Sequence, residues 1–258
     1  MFNPTETRER VDERWRQTPA LVLLPGLDGT GKLFSEFSKA LDPSVSATVV
    51  PYPPDVPLGY DDLERLVRAA LPTRGRFMLL GESFSGPLAI RIAADPPPGL
   101  EGLILCVTFA SNPYPHLGWA RGLAAFLPLK SLPRWLRAPL MWGSASPSKA
   151  PRQSERAMAG VDAAVIRRRI SALLSVDETA ALAKISVPTL VLCATGDRVV
   201  SKAATMRIMR GIRHAQRVDI DGPHLLLKTR PTESAAAVLK FLREGTTAGS
   251  AIAAGAPA

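Results

Sequence analysis

The chain has 258 residues, 46% of them hydrophobic, enough for the core of one large α/β domain or one domain carrying an insertion. Its formal net charge of +9 raises nucleic acid or an anionic surface as a partner. The basic residues are spread out, however, and no zinc-finger spacing or RNP-like motif accompanies them, which argues against a nucleic-acid binder. The two cysteines, Cys106 and Cys193, each lie inside an apolar run without metal-ligand company, which argues against a disulfide framework or a metal centre.

Residues 1–18 are polar and carry both charges, an N-terminal arm without the apolar stretch of a secretory leader. No apolar run reaches membrane-spanning length, so a cytoplasmic setting is expected. Ala20-Leu21-Val22-Leu23-Leu24 is a continuous apolar run ended by Pro25-Gly26, the pattern of a strand buried on both faces. Lys32 to Leu41 has helical spacing, with Leu33, Phe34, Phe37 and Leu41 on one side. Ala47 to Val50 is a second strand, and Asp61 or Asp62 can cap a helix running to about Leu71. Phe77 to Leu80 is a third strand, Leu88 to Ala94 the helix after it, and Leu100 to Phe109 a fourth strand.

The alternation then breaks. Residues 111–184 contain no clear strand and read as helices over Leu117 to Phe126, Leu132 to Trp142, Val161 to Leu174 and Thr179 to Lys184. It resumes with a strand over Pro188 to Ala194, a helix over Ser201 to Gly211, a short strand over Gln216 to Ile220 and a last helix from Pro231 to Arg243. Such repetition predicts an α/β fold, a mostly parallel central sheet of about six strands flanked by helices. Residues 19–110 and 185–244 are its core and 111–184 a helical cap, too long for an ordinary crossover. The Ala/Gly/Ser/Thr tail, 245–258, has little to pack and is expected to be disordered.

The most telling segment is Gly81-Glu82-Ser83-Phe84-Ser85, directly after the third strand. A G-x-S-x-G turn between strand and helix strains the serine and exposes its hydroxyl, and here Ser85 stands in the last glycine position. Ser85 is the poorer nucleophile, because a frame around it would need glycine at Ser83 and Pro87. A serine hydroxyl needs a base in reach and that base an orienting acid; a fold of the kind this serine turn resembles places them in the chain order serine, acid, histidine, each after a later strand. Of three histidines, His224 lies in Asp221-Gly222-Pro223-His224-Leu225, the loop after the sixth strand, whereas His116 is at the entrance to the cap and His214 at the other end of the sheet. Asp197, just after the fifth strand in Ala194-Thr195-Gly196-Asp197-Arg198, is the acid. Asp219 and Asp221 are rivals by proximity, better read as a strand carboxylate and a turn former.

An oxyanion hole needs main-chain N–H groups aimed at developing negative charge. Phe84, after the nucleophile, supplies one; Leu27, in the loop Leu24-Pro25-Gly26-Leu27-Asp28-Gly29-Thr30-Gly31, supplies the other. That loop also looks like a phosphate cradle, but Gly31-Lys32 is followed by Leu33, not Ser or Thr, so nucleotide binding is discounted.

Taken together, residues 19–244 resemble the α/β-hydrolase superfamily, in particular its serine esterase- and lipase-like members with a helical cap. The resemblance implies a nucleophile at Ser83, an acid at Asp197 and a base at His224, with no metal and no cofactor. It departs from many relatives in Pro25-Gly26 where they carry His-Gly, in Ser85, and in the lack of an N-terminal antiparallel strand pair. The implied activity is ester hydrolysis through an acyl-enzyme (carboxylesterase-like). The alternatives are a thioesterase, an acyltransferase, a carbon–carbon bond hydrolase, a haloperoxidase-like side activity, or a non-catalytic binder that keeps the fold.

The expected partner is a small-molecule ester, lipid-like in one version, with no nucleic acid; the sequence leaves the oligomeric state open. Leu117, Trp119, Leu123, Phe126, Trp135, Leu140 and Trp142 make the cap apolar, an acyl pocket or a lid making transient interfacial contact. Packing of the cap onto the core explains the same residues equally well.

Overall fold

The computed structural model describes residues 19–115, 141 and 156–254, with side chains through Glu244. Strands β1 (Ala20–Leu24), β2 (Ala47–Val49), β3 (Phe77–Glu82), β4 (Leu100–Cys106), β5 (Thr189–Ala194) and β6 (Gln216–Ile220) form one sheet in the order β2-β1-β3-β4-β5-β6. All five neighbouring pairs are parallel. The predicted strand runs are all present. The central ones are mostly apolar and buried because helices cover both faces, while the edge strands β2 and β6 are largely exposed.

Alternate residues of each strand feed opposite cores. Val22, Leu24, Leu79, Leu105 and Val191 pack with Leu63 and Val67 of α2 (Tyr60–Ala70), Leu88 and Ile92 of α3 (Gly86–Ala94), and Ile208 of α5 (Lys202–Gly211). Leu21, Leu23, Met78, Leu80 and Leu192 pack with Phe37 of α1 (Ser35–Ala40) and with Val238 and Phe241 of the C-terminal helix. Cys106 belongs to the second cluster and Cys193 to the first, so the two thiols lie on opposite faces, both buried and free.

The chain runs from β1 outward to β2 and crosses back over β1 to β3. From there β4, β5 and β6 are added on the other side. The carboxyl ends of β1 and β3 therefore flank a reversal of strand order, where an open α/β sheet leaves a crevice.

Between β4 and β5 the chain leaves and returns at one point. Ser111 and Asp177 form an isolated antiparallel bridge. Asn112 N–H donates to the Val176 carbonyl at 2.9 Å, and Glu178 N–H to the Ala110 carbonyl at 2.8 Å. Within this excursion, the helix predicted over Val161 to Leu174 is α4 (Ala163–Ser175), and Thr179–Lys184 is a 3-10 helix. The helices predicted over Leu117 to Phe126 and Leu132 to Trp142, with the apolar residues on them, lie outside the described residues, as do the N-terminal arm and His116, apart from Met141.

Three local details differ from expectation. The cap of α2 is Gly59, whose N–H is accepted by Asp62 reaching back at 3.2 Å; the aspartate sits inside the first turn instead of before it. A one-turn helix, α6 (Leu226–Thr229), follows the histidine loop. The last helix, α7 (Pro231–Ala254), continues past Arg243 into the segment expected to be disordered. Ala248, Ala251, Ala253 and Ala254 have the strongest helix propensity of any residue type, which offsets Gly245 and Gly249.

Candidate active site

β3 ends directly at Ser83, the first residue of a 3-10 turn that leads into α3. Ser83 has φ +50°; only Val107 shares a positive φ among the described non-glycine residues. Such a conformation costs about 1–3 kcal/mol and persists only where the surroundings over-determine it. Here a Cβ at Gly81 would lie 2.7 Å from Ala89 Cβ and 2.8 Å from the Ser85 carbonyl oxygen, so the strand and α3 meet with no space for a side chain. The Thr108 hydroxyl donates to the Ser83 carbonyl from the far side. Phe84 is buried, its ring stacked on Tyr60 at 4.8 Å between centroids, and the Tyr60 hydroxyl donates to the Phe84 carbonyl at 2.7 Å.

The sequence-predicted partners converge on Ser83 from two other loops. Ser83 Oγ lies 2.9 Å from His224 Nε2, and His224 Nδ1 lies 2.9 Å from Asp197 Oδ2. The loops that carry them touch through glycine: Gly196 N–H donates to the Gly222 carbonyl at 3.0 Å. Asp197 Oδ1 accepts the N–H groups of Val199 and Val200 at 2.7 and 2.9 Å, which turns its other oxygen toward the imidazole. Beside a carboxylate, Nδ1 carries the proton and Nε2 is left to accept from the serine. His224 is only 2% exposed, so the imidazole is shielded from water while Ser83 is half-buried.

The rivals are engaged elsewhere. Asp219 accepts from the Arg217 guanidinium at 2.7 and 3.0 Å, Asp221 accepts from the Thr195 hydroxyl at 3.0 Å, and His214 bonds the Val187 carbonyl. Among the described residues no group of three or more His, Cys, Asp or Glu side chains is arranged to hold a metal ion, and no described helix is long and apolar enough to cross a membrane.

The loop after β1 closes the site opposite His224. Gly29 N–H donates to the Gly26 carbonyl at 3.0 Å, which makes Gly26 to Gly29 a turn and fixes the plane of the Gly26–Leu27 peptide. A Cβ at Gly26 would stand 3.9 Å from Ser83 Cβ, so this loop and the serine turn are in van der Waals reach.

Three neighbours have structural parts that the sequence did not announce. Ser85, fully buried, donates to the Pro25 carbonyl and so ties the serine turn to the β1 loop. Glu82 is 5% exposed, and burial, reinforced by nearby Asp28 and opposed by the Gly26 N–H, pushes its carboxyl up to about 8. Arg169 of α4 reaches the same loop from above and donates to the Leu27 and Asp28 carbonyls. Glu82 stood in plain view as a spacer of the serine motif, and Ser85 as the substitute for its last glycine. Arg169 was hidden in an arginine run that composition alone explains.

A family model described as the alpha/beta hydrolase family matches residues 21–237. The chain belongs to the α/β hydrolase family. This family member is 29% identical over 245 residues to a polyketide synthase, ThaQ, of Burkholderia thailandensis, an alignment covering 88% of this chain. The chain spans only 12% of that relative's length. It is 27% identical over 250 residues to a putative carbamate hydrolase, RutD, of Rhizobium rhizogenes, covering 86% of this chain and 92% of that one. Among solved structures it is similar to the enol-lactonase of Burkholderia xenovorans, with a TM-score of 0.77 at 19% identity, covering 87% and 91% of the two chains. At that identity the likeness speaks for the fold.

Proposed function

We propose that this α/β hydrolase cleaves carboxylic esters through an acyl-enzyme on Ser83, with His224 as base and Asp197 as its orienting acid. The observation that carries the reading is the continuous line from Ser83 Oγ through both His224 nitrogens to Asp197, each link 2.9 Å, at a serine held with φ +50°. Similarity to the RutD relative, named as a carbamate hydrolase, supports acyl-group chemistry in general.

In this mechanism the Ser83 oxygen attacks the ester carbonyl carbon while its proton passes to His224 Nε2. The carbonyl oxygen becomes an anion received by the N–H groups of Leu27 and Phe84. The C–O bond breaks, and the alcohol leaves with the proton from His224. Water then attacks the acyl carbon as His224 takes its proton, and the acid departs while that proton returns to Ser83. Asp197 stays ionised and stabilises the transient imidazolium. No metal or organic cofactor enters. The substrate is a small ester with an apolar acyl or alcohol group beneath the segment between β4 and β5. A thioesterase or acyltransferase is the second reading: the same acyl-enzyme forms from a thioester and can be resolved by an alcohol, and the likeness to part of a polyketide synthase favours it.

A fluorophosphonate probe followed by peptide mapping tests the proposal. The label is expected on Ser83, and Ser83→Ala is expected to lose label and ester turnover while remaining folded. Full turnover in that variant would overturn the assignment, and an unlabelled wild-type chain would favour a non-catalytic binder. Aryl esters, thioesters and triglycerides of graded length, with water competing against alcohol acceptors, separate the two readings.

A further inference from the structure

Arg169 belongs to the excursion between β4 and β5, yet its guanidinium ends on the loop after β1. Nη1 donates to the carbonyl oxygens of Leu27 at 3.0 Å and Asp28 at 2.8 Å, and Nη2 to that of Pro53 at 3.0 Å. The side chain is fully buried, with Tyr52 beneath it at 5.6 Å from Cζ to the ring centroid. Its Nε has no acceptor. Removing a cation from water is expensive, and the acceptors are main-chain carbonyls, with the buried Asp28 carboxylate compensating only from beyond ion-pair distance. Joining α4 to the core would not require this; its Ala172 and Leu173 already pack against the main apolar cluster.

The place where the guanidinium lands explains its use. The Leu27 carbonyl lies one peptide unit beyond the N–H read above as an oxyanion donor, and the Asp28 carbonyl two. The turn itself contributes one bond, Gly29 to Gly26. Nη1 bridges the two successive carbonyls while Nη2 reaches Pro53, so the two arms of one planar group tie the turn to the segment after β2 in a fixed geometry that a point charge cannot copy. The fit is tight, since a Cβ at Gly29 would lie 2.4 Å from Nη1.

We propose that Arg169 is a positioning residue for the oxyanion hole: it locks the Leu27–Asp28 carbonyls so that the Leu27 N–H points at the developing charge, and it makes the hole depend on the docking of α4. This rests on the serine-hydrolase reading above. Donors fixed before reaction lower the barrier in the transition state far more than they affect substrate binding, so the signature of Arg169 is a loss in kcat.

The test uses the full chain, an aryl ester and a phenylboronic acid, whose adduct with Ser83 is tetrahedral. Arg169→Lys keeps the charge but is one atom shorter and cannot bridge the turn and Pro53 with one planar group. It is expected to lower kcat by about 30-fold or more, to leave KM within about threefold, and to weaken the boronic acid in parallel with kcat. Arg169→Ala is expected to lose about 10²–10³-fold in kcat, partly restored by added guanidinium ion but not by ammonium. Should the alanine variant not fold, the lysine variant and its boronate affinity decide the matter. A lysine variant with wild-type kcat and boronate affinity, or with its loss confined to KM, overturns the proposal. Failure of the wild-type chain to take a fluorophosphonate on Ser83 would instead remove the underlying reading, so the two failures are told apart.

Discussion

The Ser85 hydroxyl donates to the Pro25 carbonyl and thereby fastens the turn carrying Ser83 to the loop carrying Leu27. Because its single proton is used there, the Tyr52 hydroxyl, 2.5 Å away, must be the donor to Ser85 Oγ. Glycine, the usual occupant of this motif position, cannot make either bond.

Ser85→Ala therefore strands a buried carbonyl and a buried phenol. The expected loss is about 1–3 kcal/mol for each group left without a partner. A chain of this size should then melt several degrees lower, at about 2–4 °C per kcal/mol. Thermal unfolding reads this directly. Ser85→Gly restores the common motif yet should melt no higher than Ser85→Ala; melting with the wild type would show that the tie carries no weight.

Asp197→Asn keeps the shape of the acid but favours the wrong imidazole tautomer. Ester kcat should fall by about 10³–10⁴-fold. Asp221→Asn, in the neighbouring loop but bonded to Thr195, should stay within about threefold of wild type under the same steady-state assay.

Glu82 predicts a pH effect on stability. Its folded pKa of about 8 lies above the ordinary 4.5, so between those values the folded chain holds a proton that the unfolded chain releases. Stability must then fall as pH rises across that window, by up to about 1.4 kcal/mol per pH unit from this group, and level off above it. Glu82→Gln removes the ionisation. Urea unfolding at pH 5, 7 and 9 should show the variant gaining on wild type between the first two, and gaining further by the third because the window runs to about 8. Parallel curves would contradict the assignment.

Gly86 opens α3 against the segment just after β4, where a Cβ would lie 1.8 Å from Thr108 Oγ1. Gly86→Ala should cost about 1–3 kcal/mol by overpacking. Adding Thr108→Ala should recover part of it, a coupling that a double-mutant cycle on unfolding free energy measures.

The strands and the Ser83, Asp197 and His224 line were legible in the sequence because both rest on local pattern. An apolar run such as Met78-Leu79-Leu80 can only be a buried element, and loops after successive parallel strands must gather at one end of a sheet. Neither rule reaches contacts made by side chains from distant segments. Arg169 and Leu27 are 142 positions apart, and nothing in the run Arg167-Arg168-Arg169 marks which arginine turns inward. Glu82 looked like a spacer because its burial comes from the β1 loop, not from its own neighbours. The reach-back of Asp62 to Gly59 and the helical continuation beyond Arg243 were missed for a simpler reason: composition near an element's end permits more than one boundary.

The paired exit and return at Ser111 and Asp177 give the excursion between β4 and β5 the character of a cassette, since both of its ends are stapled at one spot on the scaffold. Exchanging it for another insert would leave the sheet's register untouched and would seem a clean way to retarget the enzyme. Arg169 travels with that cassette. A graft chosen only for the shape it offers a substrate would therefore arrive without the brace on the Leu27 turn, and its designer would have to supply a replacement donor to keep turnover.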